Sequence, residues 1–228
     1  MKKFSRYQLA TIIAVFFHLT GLLGILFFNR DFFIRTSFLN LLLMFFLLLY
    51  TQNGINKPFV FFMLTCFIIG VGVEIIGTQT GWLFGNYTYN DVLGPEIQNV
   101  PIIIGINWFI IIYCCGVCIH AVLTRILEPL LMQTDKPKPV LKMASIIVDG
   151  ASLAVLFDWI MEPVAIKLGY WTWTNFNKVP FFNYICWFFI SSALMAVFHF
   201  AQFNKQNKFA VNLLLIQVMF FLFLRTFL

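Results

Sequence analysis

Apolar residues fill this chain in long stretches, each closed by a short link rich in polar residues, glycine or proline. A helix needs about 20 apolar residues to cross a hydrocarbon core of about 30 Å. The pattern predicts seven such helices, at 7–28, 32–50, 59–76, 102–123, 140–161, 181–203 and 209–228. The basic lead Met1-Lys2-Lys3-Phe4-Ser5-Arg6 gives the first stretch the look of a signal peptide. That stretch is too long for a signal's apolar centre and carries no small-x-small cleavage site, so it reads as a membrane span. The expected fold is all-α, one polytopic integral membrane domain over residues 1–228.

Composition strengthens this reading. Of 228 residues, 61% are apolar and 11% charged, against about 25% charged in an average globular chain. The five cysteines, Cys66, Cys114, Cys115, Cys118 and Cys186, all fall inside predicted spans, where free cysteine packs as a small hydrophobe and no disulfide framework is expected. Cys114 and Cys118 share a helix face, but Ile111, Ile112 and Val117 give a metal thiolate no polar surroundings.

Against this apolar background one pattern occurs twice. Glu74 is followed at a distance of eleven by Gly85-Asn86-Tyr87-Thr88-Tyr89, and Asp158 at the same distance by Gly169-Tyr170-Trp171-Thr172-Trp173. Val100-Pro101 and Val179-Pro180 come next, then Trp108-Phe109 and Trp187-Phe188, each seven residues past its proline. Only the gap from glycine to proline differs, sixteen residues against eleven, which puts the length change in a loop. Self-similarity constrains a whole fold. It predicts a duplication of helices 3–4 and 5–6, with copies over about 59–123 and 140–203. The charged, proline-bearing link at 128–142 is the expected seam.

The motif segments 78–100 and 163–179 each leave an odd-numbered helix, so both emerge on one side and the duplication is parallel, with its pseudo-two-fold axis along the membrane normal. Their Trp, Tyr and Gly content argues for ordered, functional loops. Lys and Arg distribute ten to five between the two sides, the N-terminal side holding the excess. The expected orientation has a cytoplasmic N-terminus in the cell's inner membrane and both motif loops outside. The basic balance then needs no nucleic acid to explain it.

Carboxyl groups in membrane spans are costly and mark functional sites. Glu74 and Asp158 fall at similar depths near the outer ends of their helices. Glu162 shares a face with Asp158, Pro163 is the expected helix stop, and Asp149 lies on the opposite face, nearer the cytoplasm. These four are the candidate catalytic residues; the structural alternative is bonding to Ser, Asn or Trp groups of neighbouring helices. Tyr87/Tyr89 and Trp171/Trp173 alternate with period two, so each pair projects from one side of an extended segment. Their alternative role is an interfacial aromatic belt.

The three histidines, His18, His120 and His199, have no paired spacing, whereas oxygen-dependent iron enzymes of membranes hold their metal with several. No metal site, phosphate-cradling loop or nucleophilic triad is recognisable, and no cofactor is expected. A carboxyl group that burial keeps protonated can act as an acid, and aromatic faces can stabilise a carbocation. The inventory suits proton-initiated chemistry on a lipid.

The residues Glu74, Gly77, Thr80-Gly81, Phe84 to Tyr89, Leu93-Gly94, Val100-Pro101, Trp108, Asp158, Glu162-Pro163, Gly169 to Trp173, Val179-Pro180, Asn183 and Trp187 together resemble the CruF-type family of membrane carotenoid hydratases. The resemblance covers about residues 71–187. It implies addition of water across the terminal 1,2 double bond of an acyclic carotenoid end, giving a tertiary alcohol. The implied partners are an acyclic or monocyclic carotenoid, water, the bilayer and other enzymes of the pathway. Tyr87, Tyr89, Trp171 and Trp173 are expected to line the cation site, with Trp108, Asn183 and Trp187 completing the substrate contacts. The residues leave open whether Glu74 or Asp158 is the acid. Two other readings share the same groups: a proton-initiated carotenoid cyclase, and a proton-coupled carrier of lipids or small molecules.

Overall fold

The computed structural model describes residues 4–127, 139–174 and 179–228. The helices are α1 (Arg6–Phe27), α2 (Arg30–Arg35), α3 (Ser37–Thr51), α4 (Lys57–Thr80), α5 (Ile103–Val122, continued by a π-turn over Leu123–Leu127), α6 (Pro139–Leu168), α7 (Phe181–Phe200) and α8 (Lys208–Phe227). With α2 and α3 as one span, seven helical segments among the described residues are long and apolar enough to cross a membrane, as the apolar runs predict. The strands β1 (Tyr87–Tyr89), β2 (Glu96–Ile97), β3 (Val100–Pro101) and β4 (Trp171–Trp173) are short. Most of the expected seam at 128–142 lies outside the described residues; Pro139 to Lys142 open α6.

Helix α5 is the centre of the bundle. It is apolar on every side, which suits a helix with no solvent or lipid face, and every residue from Trp108 to Val117 is buried. It touches α3, α4, α6, α7 and α8, while the most extensive helix pairing is α6 with α7. Side-chain caps begin several helices: Ser5 and Gln8 form a capping box on α1, and Asn56 accepts from Phe59 N–H on α4, each satisfying donors that a helix start leaves open. Asn207 does the same for α8 and also donates to Thr51 Oγ1 at 3.1 Å and Tyr113 Oη at 3.2 Å, tying α8 to α3 and α5 away from the motif loops.

The structure corrects the expected stop at Pro163. Helix α6 continues through the proline to Leu168. A helical proline frees the carbonyl four residues earlier, here that of Trp159. Arg225 Nη1 of α8 donates to that oxygen at 3.3 Å, and its guanidinium lies 4.4 Å from the centre of the Trp159 ring. The helix ends instead at Gly169, whose φ of +72° suits glycine, with Tyr170 N–H on Ala165 O and Gly169 N–H on Ile166 O, both at 3.0 Å. That is a Schellman closure.

The extra length of the first motif loop holds a hairpin in which β2 pairs with β3 around Gln98 and Asn99, both with positive φ, as a two-residue hairpin turn requires. The link at Asn29 is more than a connector: Asn29 caps α2, Arg30 donates to Lys167 O, and Arg35 donates to Asp91 O at 3.2 Å. Both motif loops are thus fastened at one end of the bundle.

Candidate active site

The two extended motif segments meet. β1 and β4 pair antiparallel, Tyr87 opposite Trp173, Thr88 opposite Thr172 and Tyr89 opposite Trp171. The flanking groups extend the pairing: Thr174 N–H bonds to Asn86 O at 2.9 Å, and Asn90 N–H to Tyr170 O at 3.0 Å. Alternation along each strand puts the aromatic pair on one face, so the four rings point together and the two threonines point away. Tyr87 and Trp173 have centroids 5.0 Å apart, Tyr89 and Trp171 5.8 Å. Below them Trp108 of α5 and Trp187 of α7 stack at 4.0 Å with planes 10° apart.

Each aromatic group carries a carboxyl. Glu74 of α4 accepts from both Tyr87 and Tyr89 on Oε2, the latter at 2.8 Å, and from Trp108 Nε1 on Oε1 at 2.9 Å. Burial, and then the Glu74 charge, pushes the two phenols well above the ordinary tyrosine range, so both remain donors. Glu162 of α6 accepts on Oε2 from Trp171 Nε1 at 3.0 Å and Trp173 Nε1 at 3.3 Å. Asp158, one turn earlier, accepts on Oδ2 from Asn183 Nδ2 of α7 at 2.8 Å. Its Oδ1 is buried, and no described donor reaches it.

Close backbone approach makes this arrangement possible on α4. A β-carbon on Gly77 would stand 2.8 Å from Tyr87 Oη, and one on Gly70 2.6 Å from the Trp108 ring. Glycine at those two positions lets the phenol and the indole lie directly on the helix that carries Glu74.

All three carboxyls line one small cavity with about 30 Å³ of free space, room for one or two water molecules by the rule that a water needs roughly 10–15 Å³ in this measure. The structure gathers ten expected site residues here: Glu74, Asp158, Glu162, Tyr87, Tyr89, Trp108, Trp171, Trp173, Asn183 and Trp187. Asp149 does not join them. It is exposed on α6 and accepts from Ser145 Oγ one turn away. Four cavity residues were not anticipated: Phe84, Ile104, Asn107 and Met161. Asn107 had a signal, being a lone amide in an isoleucine-rich helix. Phe84 opens the loop motif Phe84 to Tyr89 but the motif assigns it no role of its own, and Ile104 and Met161 are apolar and indistinguishable by sequence from lipid-facing positions.

A bundle of membrane-length helices with three buried carboxyls and an aromatic wall at one end defines a polytopic membrane protein with an enclosed acidic site. The chain belongs to the carotenoid biosynthesis protein family, whose model matches residues 35–228. Over 132 residues it is 27% identical to the bisanhydrobacterioruberin hydratase of Haloarcula japonica, a match covering 57% of this chain and 41% of that protein. The match thus spans about two fifths of the length of that relative. No solved structure matches the chain. The resemblance to CruF-type hydratases read from the motifs agrees with both findings.

Proposed function

We propose that this protein adds water to the terminal 1,2 double bond of an acyclic carotenoid end, by acid catalysis and without a cofactor. The observation that carries the reading is Asp158 Oδ1, a carboxyl oxygen that faces no donor inside a cavity otherwise furnished with donors. A proton on Oδ1 has no partner among the described protein groups, which leaves it free to go to the substrate. Asp158 is therefore the acid, protonating C2 and leaving a tertiary cation at C1. Glu162 has its two indole donors on Oε2, which leaves Oε1 to orient the water and take its proton. Glu74, with two phenols and an indole donating to it, supplies the negative charge beside the cation. The rings of Tyr87, Tyr89, Trp171 and Trp173 supply faces for the cation. One proton leaves Asp158 and one returns from water to Glu162, so the net change is addition of water, and proton exchange between the two acids resets the site.

The two motif copies are read as halves of one duplicated unit, a view supported by the pairing of Tyr87 to Tyr89 with Trp171 to Trp173 and by the stacking of Trp108 on Trp187. Room for water in the cavity favours capture of the cation by water over capture by an internal alkene, which a cyclase requires. Expression in a lycopene-producing bacterium should yield pigments heavier by one water. Unchanged mass with a new ring would make it a cyclase, and unchanged pigment would favour the carrier.

The ten-to-five charge count orients the bundle with its N-terminus in the cytoplasm and the carboxyl site at the outer rim. Reporter fusions after Asn90 and after Thr174 should both read as outside. A cytoplasmic signal from either reverses the orientation.

A further inference from the structure

The carboxyl cavity is too small for the end of a polyene, so the substrate needs a way in. A second cavity of about 80 Å³ shares Ile104, Asn107, Met161 and Trp171 with the first. A third, of about 290 Å³, shares His18, Ser37, Asn40 and Phe220 with the second. The outermost is bounded by α1, α2, α3 and α8, and its wall residues Phe17, Phe32 and Leu39 are 45%, 58% and 60% exposed on the side of the bundle. Three neighbouring cavities with shared walls therefore lie in series from the exposed side chains of α1, α2 and α3 to the carboxyls.

We infer that this series of cavities is the binding corridor for the linear polyene, which enters sideways from the bilayer between α1 and α3 and presents its acyclic end to Asp158. The inference rests on the hydration reading above. Three observations commit the corridor to this occupant. The outer cavity has the apolar side chains of Phe17, Ile25, Phe32, Phe33, Leu39, Leu43 and Phe220 in its wall and, at about 290 Å³, is close to the lower bound of about 300 Å³ for small-molecule sites, which suits a hydrocarbon. The partition before the carboxyls includes Met161, an unbranched side chain that can change rotamer and let a narrow end group pass. Between these apolar parts, Gln217 is 5% exposed and its Oε1 has no described partner, as is also true of Asn40 Oδ1. Buried amide oxygens call for a donor. In the second cavity water, the other reactant, can supply that donor, in a space whose wall includes Asn107 at the boundary with the carboxyl cavity.

Gly21 on α1 lines the outer cavity, and a β-carbon there makes only an ordinary contact, 3.8 Å from Phe220 Cε2. Gly21→Phe should fill the corridor without touching the carboxyl site, while Gly72→Ala on α4, which lines none of the three cavities and where a β-carbon meets nothing within 4 Å, is the control. Leu43→Trp blocks the same cavity from α3 and guards against a folding defect peculiar to either helix. Each variant is expressed in lycopene-producing cells and purified in detergent, then scored for membrane level, co-purified lycopene and hydrated product. Wild type and Gly72→Ala should retain pigment and form product; a correctly inserted Gly21→Phe or Leu43→Trp should lose at least tenfold in both. Normal pigment and product in both blocked variants overturns the corridor while leaving hydration intact, and points to a lipid tail as the occupant. Pigment lost by the blocked variants from a wild type that never adds water upholds the corridor and overturns hydration. No retained pigment and no product in wild type overturns both.

Discussion

Asp158→Asn is expected to lower the hydration rate roughly 10²–10⁴-fold, the usual worth of a positioned general acid, while the protein still accumulates in the membrane. That range corresponds to about 2.7–5.5 kcal/mol of barrier. The substitution isolates proton delivery because the asparagine oxygen can still accept from Asn183 Nδ2, the bond that Asp158 Oδ2 makes now. What disappears is the proton on the other atom. Glu74→Gln is the companion with a different expectation. Trp108 can only donate, so the new amide must turn its oxygen to the indole and its NH₂ to Tyr87 and Tyr89, whose hydroxyls reverse to accept. The side chain fits, but the negative charge beside the cation is gone, and activity should again fall by at least tenfold. Asp149→Asn, far from the cavity, serves as control. Near-normal product from both Asp158→Asn and Glu74→Gln would remove the carboxyls from the chemistry, and loss of product only together with loss of protein would make them structural.

How far the sequence reveals such a site depends on the kind of signal each residue leaves. The spans are legible because about 20 apolar residues in a row suit a membrane-crossing helix and little else. Glu74, Asp158 and Glu162 stand out because charge is rare in such runs, and Tyr87 with Tyr89 because period-two spacing reads as an extended segment. Both motif segments are extended in the structure, but the pairing between them does not follow from spacing: β1 and β4 are separated by more than eighty residues, and three-residue strands carry too little pattern to choose a mate. Pro163 misleads for a related reason. Its local effect is to end a helix, and the compensation by Arg225 comes from α8, distant in sequence. Asp149 shows the opposite failure, an acid in a span that faces outward and bonds within its own helix turn. Met161 and Ile104, which partition the cavities, are invisible to any reading of composition, since an apolar residue looks alike whether it meets lipid, core or substrate.

The origin of the new oxygen discriminates most sharply among mechanisms, because the expected result is nearly all or nothing. If Asp158 delivers a proton and water captures the cation, product formed in H₂¹⁸O carries the heavy oxygen at the tertiary carbon, and product formed in D₂O gains one carbon-bound deuterium at the adjacent carbon. The two labels report separate halves of the reaction. Oxygen label without deuterium at carbon would mean that the proton does not come from an exchangeable acid, which removes Asp158 from its role. The reaction should also proceed without air, since the three histidines His18, His120 and His199 are scattered along the sequence with none of the paired spacing that an oxygen-activating iron site uses. Label arriving from ¹⁸O₂, or product formation that stops under anaerobic conditions with substrate still present, would replace hydration by oxygenation and overturn the assignment of all three carboxyls.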